Sequence, residues 1–291
     1  MHRKFALLMV LTLIPVGIIS VAFKVEKVEA SGTIYIRANG SIDPPTAPIQ
    51  RHDSVYTLTG SITSDADGIV VERDNIVVDG SGFAIEGTGA LSSHGIYLFG
   101  RSDVTIQNTN IKNFSYGIRL GSSSNNSINR NNITNNNYYG IVLYWASKHN
   151  SIGGNTITNN SDGIDLYDSS NYNSISENTI TNNDYGIGLG YSSNNTVCYN
   201  NFIDNTVQVS DWTPGYPNFW DNGCEGNFWS NYNGTDLNRD GIGDTPYIIE
   251  ANNTDRYPLM SIIPEFPSLL ISTLFMTATL LAVIVYKRKH T

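Results

Sequence analysis

Two cysteines, four methionines and five histidines among 291 residues leave little material for soft-metal chemistry or for a disulfide-built scaffold. Basic side chains are also scarce. The 17 Lys and Arg stand against 26 Asp and Glu, a formal charge of −9, which gives no electrostatic footprint for nucleic acid. Long apolar runs are missing everywhere except at the two ends. At the first end, His2, Arg3 and Lys4 precede an apolar run from Phe5 to Phe23, and Val28 and Ala30 supply small residues for cleavage. Residues 1–30 therefore read as a secretory signal, with a retained anchor helix as the alternative. At the other end, Ser268 to Tyr286 gives 19 uncharged residues followed by Lys287, Arg288 and Lys289, the pattern of a spanning helix with a positive-inside stop. Together the two ends predict an ectodomain of about residues 31–263 outside the cell. That part keeps 10 basic and 23 acidic side chains, a net −13, and is expected to present a solvated extracellular surface. In such an oxidising compartment Cys198 and Cys224, the only thiols, are expected to form a disulfide.

Asparagine, isoleucine and glycine are abundant, and they recur in order. Gly-Ile pairs begin at Gly95, Gly117, Gly140, Gly163 and Gly186, separations of 22, 23, 23 and 23 residues, and a fixed period of that size means stacked supersecondary units. Within each unit two apolar anchors stand five apart: Ile106 and Ile111, Ile128 and Ile133, Ile152 and Ile157, Ile175 and Ile180, Val197 and Phe202. The Gly-Ile-x-Leu pieces alternate at period two, as in Ile118/Leu120 and Ile164/Leu166, which is the signature of a half-buried strand. Helical repeats are excluded, because no unit holds a ten-residue stretch at period 3.6 and Gly and Asn are poor helix formers. Three short apolar pieces per unit predict one coil of a right-handed parallel β-helix, an all-β solenoid of the pectate-lyase type. Asn131, Asn155, Asn178 and Asn200, two residues before the second anchor, and Asn113, Asn135, Asn159 and Asn182, two after it, fall at bends. There asparagine tolerates left-handed backbone and can bond from coil to coil.

An open stack would expose core and strand edges, so both ends need caps. Residues 31–94 are expected to form an amino-terminal cap and first irregular coils, and residues 95–208 the regular coils. Residues 209–263 follow as an aromatic-rich carboxy-terminal cap in which Trp212, Trp220 and Trp229 cover the last coil, and 264–291 hold the anchor segment.

At this level the chain resembles a family: right-handed β-helix proteins related to the periplasmic copper-binding protein NosD, particularly archaeal surface members. The resemblance rests on "GTIYIRANGSIDPPTAPI", "GIVVERDNIVVDGSG", the "NNSI..NNITNN..GI.L" coils and "GNFWSNYNGTDLNRDGIGDTPYIIEANNTDRYPLM". It continues into "PEFPSLL", which looks like an archaeal Pro-Glu-Phe sorting signal, so that the last segment is expected either to stay as a helix or to be processed. The resemblance implies copper delivery. The residues argue against it, since the ectodomain offers only His52, His94, His149 and Met260 besides the two cysteines, no two of those histidines share a register, and clustered His, Met or Cys ligands are required.

Three other candidate sites follow from the residues. Asp162, Asp165 and Asp168, with Arg119 in the repeat position of Asp165 two coils and about 10 Å earlier, are the weak catalytic candidates for a polysaccharide lyase or hydrolase. Asp236, Asn238, Asp240 and Asp244 occupy positions 1, 3, 5 and 9 of a calcium loop, with the Ile242 carbonyl at 7; Tyr247 breaks position 12. Tyr139, Tyr144, Trp145, Tyr167, Tyr185 and Tyr191 suit an extended polar polymer, a glycan of the envelope or its surroundings, with an envelope protein as the other partner class. Sequons, among them those at Asn113, Asn125, Asn132, Asn159, Asn194, Asn233 and Asn252, suit a glycoprotein. The leading expectation is a non-catalytic, membrane-anchored surface module.

Overall fold

Isoleucines 22 or 23 residues apart can share one core only if each unit lies on the last. The computed structural model, which describes residues 32–250 and 252–264, shows that stacking. It is an all-β, right-handed solenoid of about eight turns. The expected signal segment and carboxy-terminal span lie outside the described residues, among which no helix is long and apolar enough to cross a membrane. Each coil contributes one strand to each of three sheets. Sheet A holds His94–Phe99, Tyr116–Gly121, Tyr139–Tyr144, Asp162–Tyr167, Tyr185–Gly190 and Val207–Asp211 in order, parallel throughout. Sheet B runs through Val104–Gln107 and Ser127–Asn129 to Thr196–Cys198, and sheet C through Asn110–Lys112 and Asn132–Thr134 to Asn201–Ile203.

The registers place like on like. Ile106 pairs with Ile128, Ile128 with Ile152 and Ile152 with Ile175 in sheet B, while Ile111, Ile133, Ile157 and Ile180 stack in sheet C. All of these isoleucines are fully buried. Each removes apolar surface worth roughly 2–3 kcal/mol from water, and the β-branched side chain suits the pleated wall. The repeated glycine of Gly-Ile has a steric cause: a Cβ on Gly140 would lie 2.6 Å from the Gly163 carbonyl oxygen and 2.7 Å from an Ile157 methyl.

The corners are built from two adjacent residues with different tasks. In one coil Asn125, Arg130 and Asn135 take φ of 59°, 54° and 56°, and each is followed by a buried asparagine, Asn126, Asn131 or Asn136. The next coils repeat the arrangement with His149-Asn150, Gly154-Asn155 and Asn159-Asn160, then Tyr172-Asn173, Glu177-Asn178 and Asn182-Asn183. The left-handed residue turns the chain, and the buried asparagine satisfies what the turn leaves open. Asn155 Oδ1 accepts the backbone N–H of Asn131 at 2.9 Å and its Nδ2 at 3.0 Å. Asn155 Nδ2 in turn donates to Asn178 Oδ1 at 2.9 Å and to the Ile128 carbonyl at 2.9 Å. One ladder runs Asn126, Asn150, Asn173, Asn195, Asn218; the second Asn131, Asn155, Asn178, Asn200, Asn227; the third Asn136, Asn160, Asn183, Asn205.

The carboxy-terminal end closes both core and ladders. Phe202 stacks on Trp229 with ring centroids 4.4 Å apart, and Trp229 stacks on Tyr247 at the same 4.4 Å. The hairpin of Tyr247–Glu250 and Asn253–Asp255 carries the last rungs. Asn253 Oδ1 accepts from the Asn218 N–H and the Trp220 indole, while Asp255 Oδ2 accepts from the Asn227 N–H at 2.8 Å and the Trp229 indole at 2.9 Å. Trp212, expected in the same cap, is instead 49% exposed at the edge of sheet A. Arg256 clamps the excursion before it, donating from Nε and Nη2 to Asp221. Burial pushes the Asp221 carboxyl up, but bonds from the Arg256 guanidinium and from the Arg256 and Gly223 N–H groups outweigh it and hold the group below its ordinary value.

Replacing a rung should cost far more than replacing a left-handed corner. Asn178→Ala leaves the buried Asn155 N–H without its acceptor, removes one bond to the Ile152 carbonyl, and is expected to lose about 2–3 kcal/mol in denaturant melts. Glu177→Asn, at φ 60°, should gain up to about 1 kcal/mol. Arg256→Gln should lower the Tm at neutral pH, because it leaves the buried Asp221 carboxylate without its cationic partner. Because the Asp221 value is depressed on folding, that difference is present above about pH 4 and should vanish as pH falls through the folded-state value.

Candidate binding face on sheet A

Sheet A is the widest wall, and its outward positions form columns that follow the repeat. The residue before each Gly-Ile glycine forms one column: His94, Tyr116, Tyr139, Asp162, Tyr185. A second runs Tyr97, Arg119, Val142, Asp165, Gly188, and a third Phe99, Gly121, Tyr144, with Tyr167 and Gly190 beyond.

At the upstream end the columns make a packed polar cluster. His94 Nδ1 lies 2.7 Å from Asp67 Oδ1, and Arg119 Nη1 lies 2.9 Å from His94 Nε2. Since the guanidinium can only donate, Nε2 accepts and the ring proton sits on Nδ1, bonded to Asp67. The Arg119 guanidinium also lies over the rings of Tyr144 at 4.3 Å, Tyr116 at 4.8 Å and Tyr97 at 5.8 Å. Arg119 therefore spends its charge on a histidine and aromatic faces, not on an acid. Gly121 makes the overlap possible, because a Cβ there would stand 2.5 Å from the Tyr144 ring.

Asp162 and Asp165 lie together on the strand Asp162–Tyr167, two coils beyond Arg119, and are 5% and 2% exposed. Burial first, then repulsion from Asp162, pushes the Asp165 carboxyl up to about 7; burial, with a smaller push from Asp184, takes Asp162 up to about 6 against a bond from Ser161. Asp162 Oδ2 and Asp165 Oδ1 are buried without a hydrogen-bond partner. Tyr139, stacked on Tyr116 at 5.6 Å, is pushed up to about 12 by burial and by the charges of Asp165 and Asp162. Asp168 is not part of this pair. It sits past the strand end at φ 54°, where its carbonyl accepts the Ala146 N–H.

Along the third column and the turn beyond it lies a line of exposed rings. Phe99 and Trp145 meet edge to face at 6.1 Å, Trp145 lies 4.8 Å from Tyr144, Tyr167 meets Tyr191 at 6.3 Å, and Tyr191 meets Tyr216 at 5.8 Å. Trp145 and Tyr191 are 51% and 52% exposed. Of the six aromatic residues expected to form a strip, Trp145, Tyr167 and Tyr191 belong to this line, Tyr144 is buried against Trp145, and Tyr139 and Tyr185 stand in the first column. Phe99, Tyr216 and the His94–Tyr97–Tyr116 group were missed, although their repeat positions place them beside the others.

Elsewhere, a shallow groove of about 1240 Å³ follows the corner between sheets B and C, past Asn108, Arg130 and Asn132 to Asn201. One end is taken by the chain itself, since Asn201 bonds both the N–H and the carbonyl of Ile263. The acidic loop curls on its own amides: Asp236 accepts from Asp240 and Gly241, Asn238 and Asp240 accept from Asp240 and Ile242, and Asp244 accepts from Leu237. Ile242 pairs with Leu259 in an isolated bridge. Cys198 and Cys224, expected to pair, are both free in this structure. Cys198 is buried at the end of its strand, whereas Cys224 is exposed on an Asn222-capped turn, and it is Tyr199 that this turn bonds.

A family described as "Periplasmic copper-binding protein (NosD)" matches residues 32–234. The chain belongs to this NosD family. Of the candidate copper ligands, His94 has both ring nitrogens engaged, Nδ1 with Asp67 and Nε2 with Arg119, so neither is free for a metal. Among solved structures, the periplasmic alginate epimerase AlgG is 24% identical with a TM-score of 0.44, covering 54% of this chain and 40% of that one. A variant of that enzyme is 17% identical with a TM-score of 0.39 over 72% of this chain and 58% of the other. The NosD-family chain thus spans only part of the length of these solved proteins. A search of curated proteins gave no match.

Proposed function

We propose that this NosD-family chain is an extracytoplasmic module that holds an extended polysaccharide along sheet A without cleaving it. The observation that carries this reading is the line of exposed rings from Phe99 and Trp145 to Tyr167, Tyr191 and Tyr216. Aromatic faces bind sugar rings by apolar contact while hydroxyls at their rim stay wet. Successive coils rise by about 4.8 Å, so the rings recur at intervals on the scale of one sugar. The periplasmic description of the family supports a place outside the cytoplasm, and the apolar run Ser268 to Tyr286 supports a membrane anchor. A lyase or hydrolase is the second reading, favoured by the raised Asp162 and Asp165 carboxyls, but these stand in the two columns beside the ring line and are 5% and 2% exposed.

The test is retention of the detergent-solubilised full chain on a panel of microbial, plant and envelope polysaccharides, with assay for new sugar ends. Retention without new ends is expected, and Trp145→Ala with Tyr191→Ala should weaken it on the order of tenfold. New ends that vanish in Asp165→Asn would establish the enzyme reading instead; no retention on any polymer would leave a protein partner.

The loop from Asp236 to Asp244 is proposed to hold calcium and stiffen the cap, because its oxygens alternate as a hard cation requires. Millimolar calcium should raise Tm relative to chelator, and Asp236→Asn with Asp240→Asn should abolish the rise from this loop.

A further inference from the structure

Two buried carboxylate oxygens on sheet A have no partner, and this is independent of any glycan. A buried carboxylate left unpaired costs several kcal/mol, so a folded chain that keeps two of them side by side has to neutralise them by some other group. Asp162 Oδ2 and Asp165 Oδ1 both lie within 3.4 Å of one point, the place where a Cβ on Gly188 would stand. Gly188 supplies no side chain there, and a Cβ would approach Asp165 Oδ1 to 2.5 Å. In the neighbouring coils the same two columns carry Tyr139 and Val142 on one side and Tyr185 and Gly188 on the other, none of which can neutralise an acid. Arg119, the base of the second column, stands two coils away with its guanidinium bonded to His94. Asp184 adds a third negative charge that acts on Asp162.

We propose that Asp162 and Asp165 together hold one hard divalent cation of the calcium class, bound through Oδ2 of the first and Oδ1 of the second. Two carboxylates balance a divalent charge, and oxygen-only donors select a hard ion. No third acidic or histidine side chain completes the set among the described residues, so the remaining oxygens are those of solvent or of a molecule lying on the face. The site is separate from the acidic loop, which belongs to the carboxy-terminal cap.

The test uses the full-length chain carrying Asp236→Asn and Asp240→Asn, which removes the loop site. Terbium is titrated in, its luminescence sensitised by neighbouring tyrosines such as Tyr139, and calcium is used to displace it. The expected result is one terbium per chain, displaced by calcium, with affinity lowered on the order of tenfold or more when Asp162→Asn and Asp165→Asn are added. A loop-disabled chain that binds no terbium, or one whose affinity is unchanged by the two further substitutions, overturns the proposal and leaves a proton as the neutralising group. Thermal melts in chelator check that the variants fold. Should the double variant fail to fold, Gly188→Ser, which crowds the same oxygens, takes its place, and an unchanged affinity there overturns the proposal equally.

Discussion

The side-chain amide at each corner is the constraint on which the rest of the solenoid depends. A parallel β-helix bends sharply three times per coil, and every bend takes backbone groups out of the strand ladder. Water is excluded at these places: Asn155, Asn178 and Asn200 are at most 1% exposed. Asparagine alone among small side chains offers a donor and an acceptor in the plane of a peptide, so it can stand in for one. Its Oδ1 takes the N–H of the coil before, and its Nδ2 reaches the coil after. With the corners fixed in this way, the isoleucines need only fill the space between them.

A wall so regular inside is free to vary outside, and sheet A uses that freedom unevenly. Its upstream part is neutralised internally by the chain Asp67, His94, Arg119 and three tyrosine rings. Its middle carries acids with unpaired oxygens, and its rim carries exposed rings. Each region follows from which side chain a coil places in the same few columns.

Much of the fold was legible because burial and period coincide: anchors five apart fall on sheets B and C, and Gly-Ile-x-Leu falls on sheet A. The asparagines were only half legible. Asn131 and Asn135 looked alike as bend residues, yet one is a buried rung and the other a left-handed corner, and the rungs Asn126 and Asn136 were not singled out at all. Polarity in the sequence does not reveal which of two adjacent asparagines is buried. An oxidising compartment likewise says nothing of where the thiols stand: Cys198 ends a strand, while Cys224 tips a turn. At the candidate site, Asp162 and Asp165 were found together because both belong to one strand, and Asp168 was wrongly grouped with them because it lies just past that strand's end. The missed rings needed the register of whole columns, which a short motif does not display.

The ladders have a direction. Every interior rung donates towards the carboxy terminus and accepts from the amino-terminal side, so interior coils are interchangeable links in a chain of identical polarity. Asp255 ends one ladder with a group that accepts and, when ionised, has nothing to donate. Duplication or loss of one whole coil of 22 to 24 residues between equivalent asparagines keeps the polarity of the ladders, while a coil added after Asp255 finds no donor to continue from. The ladders therefore leave the middle of the stack open to a change of length and fix the carboxy-terminal cap as an end.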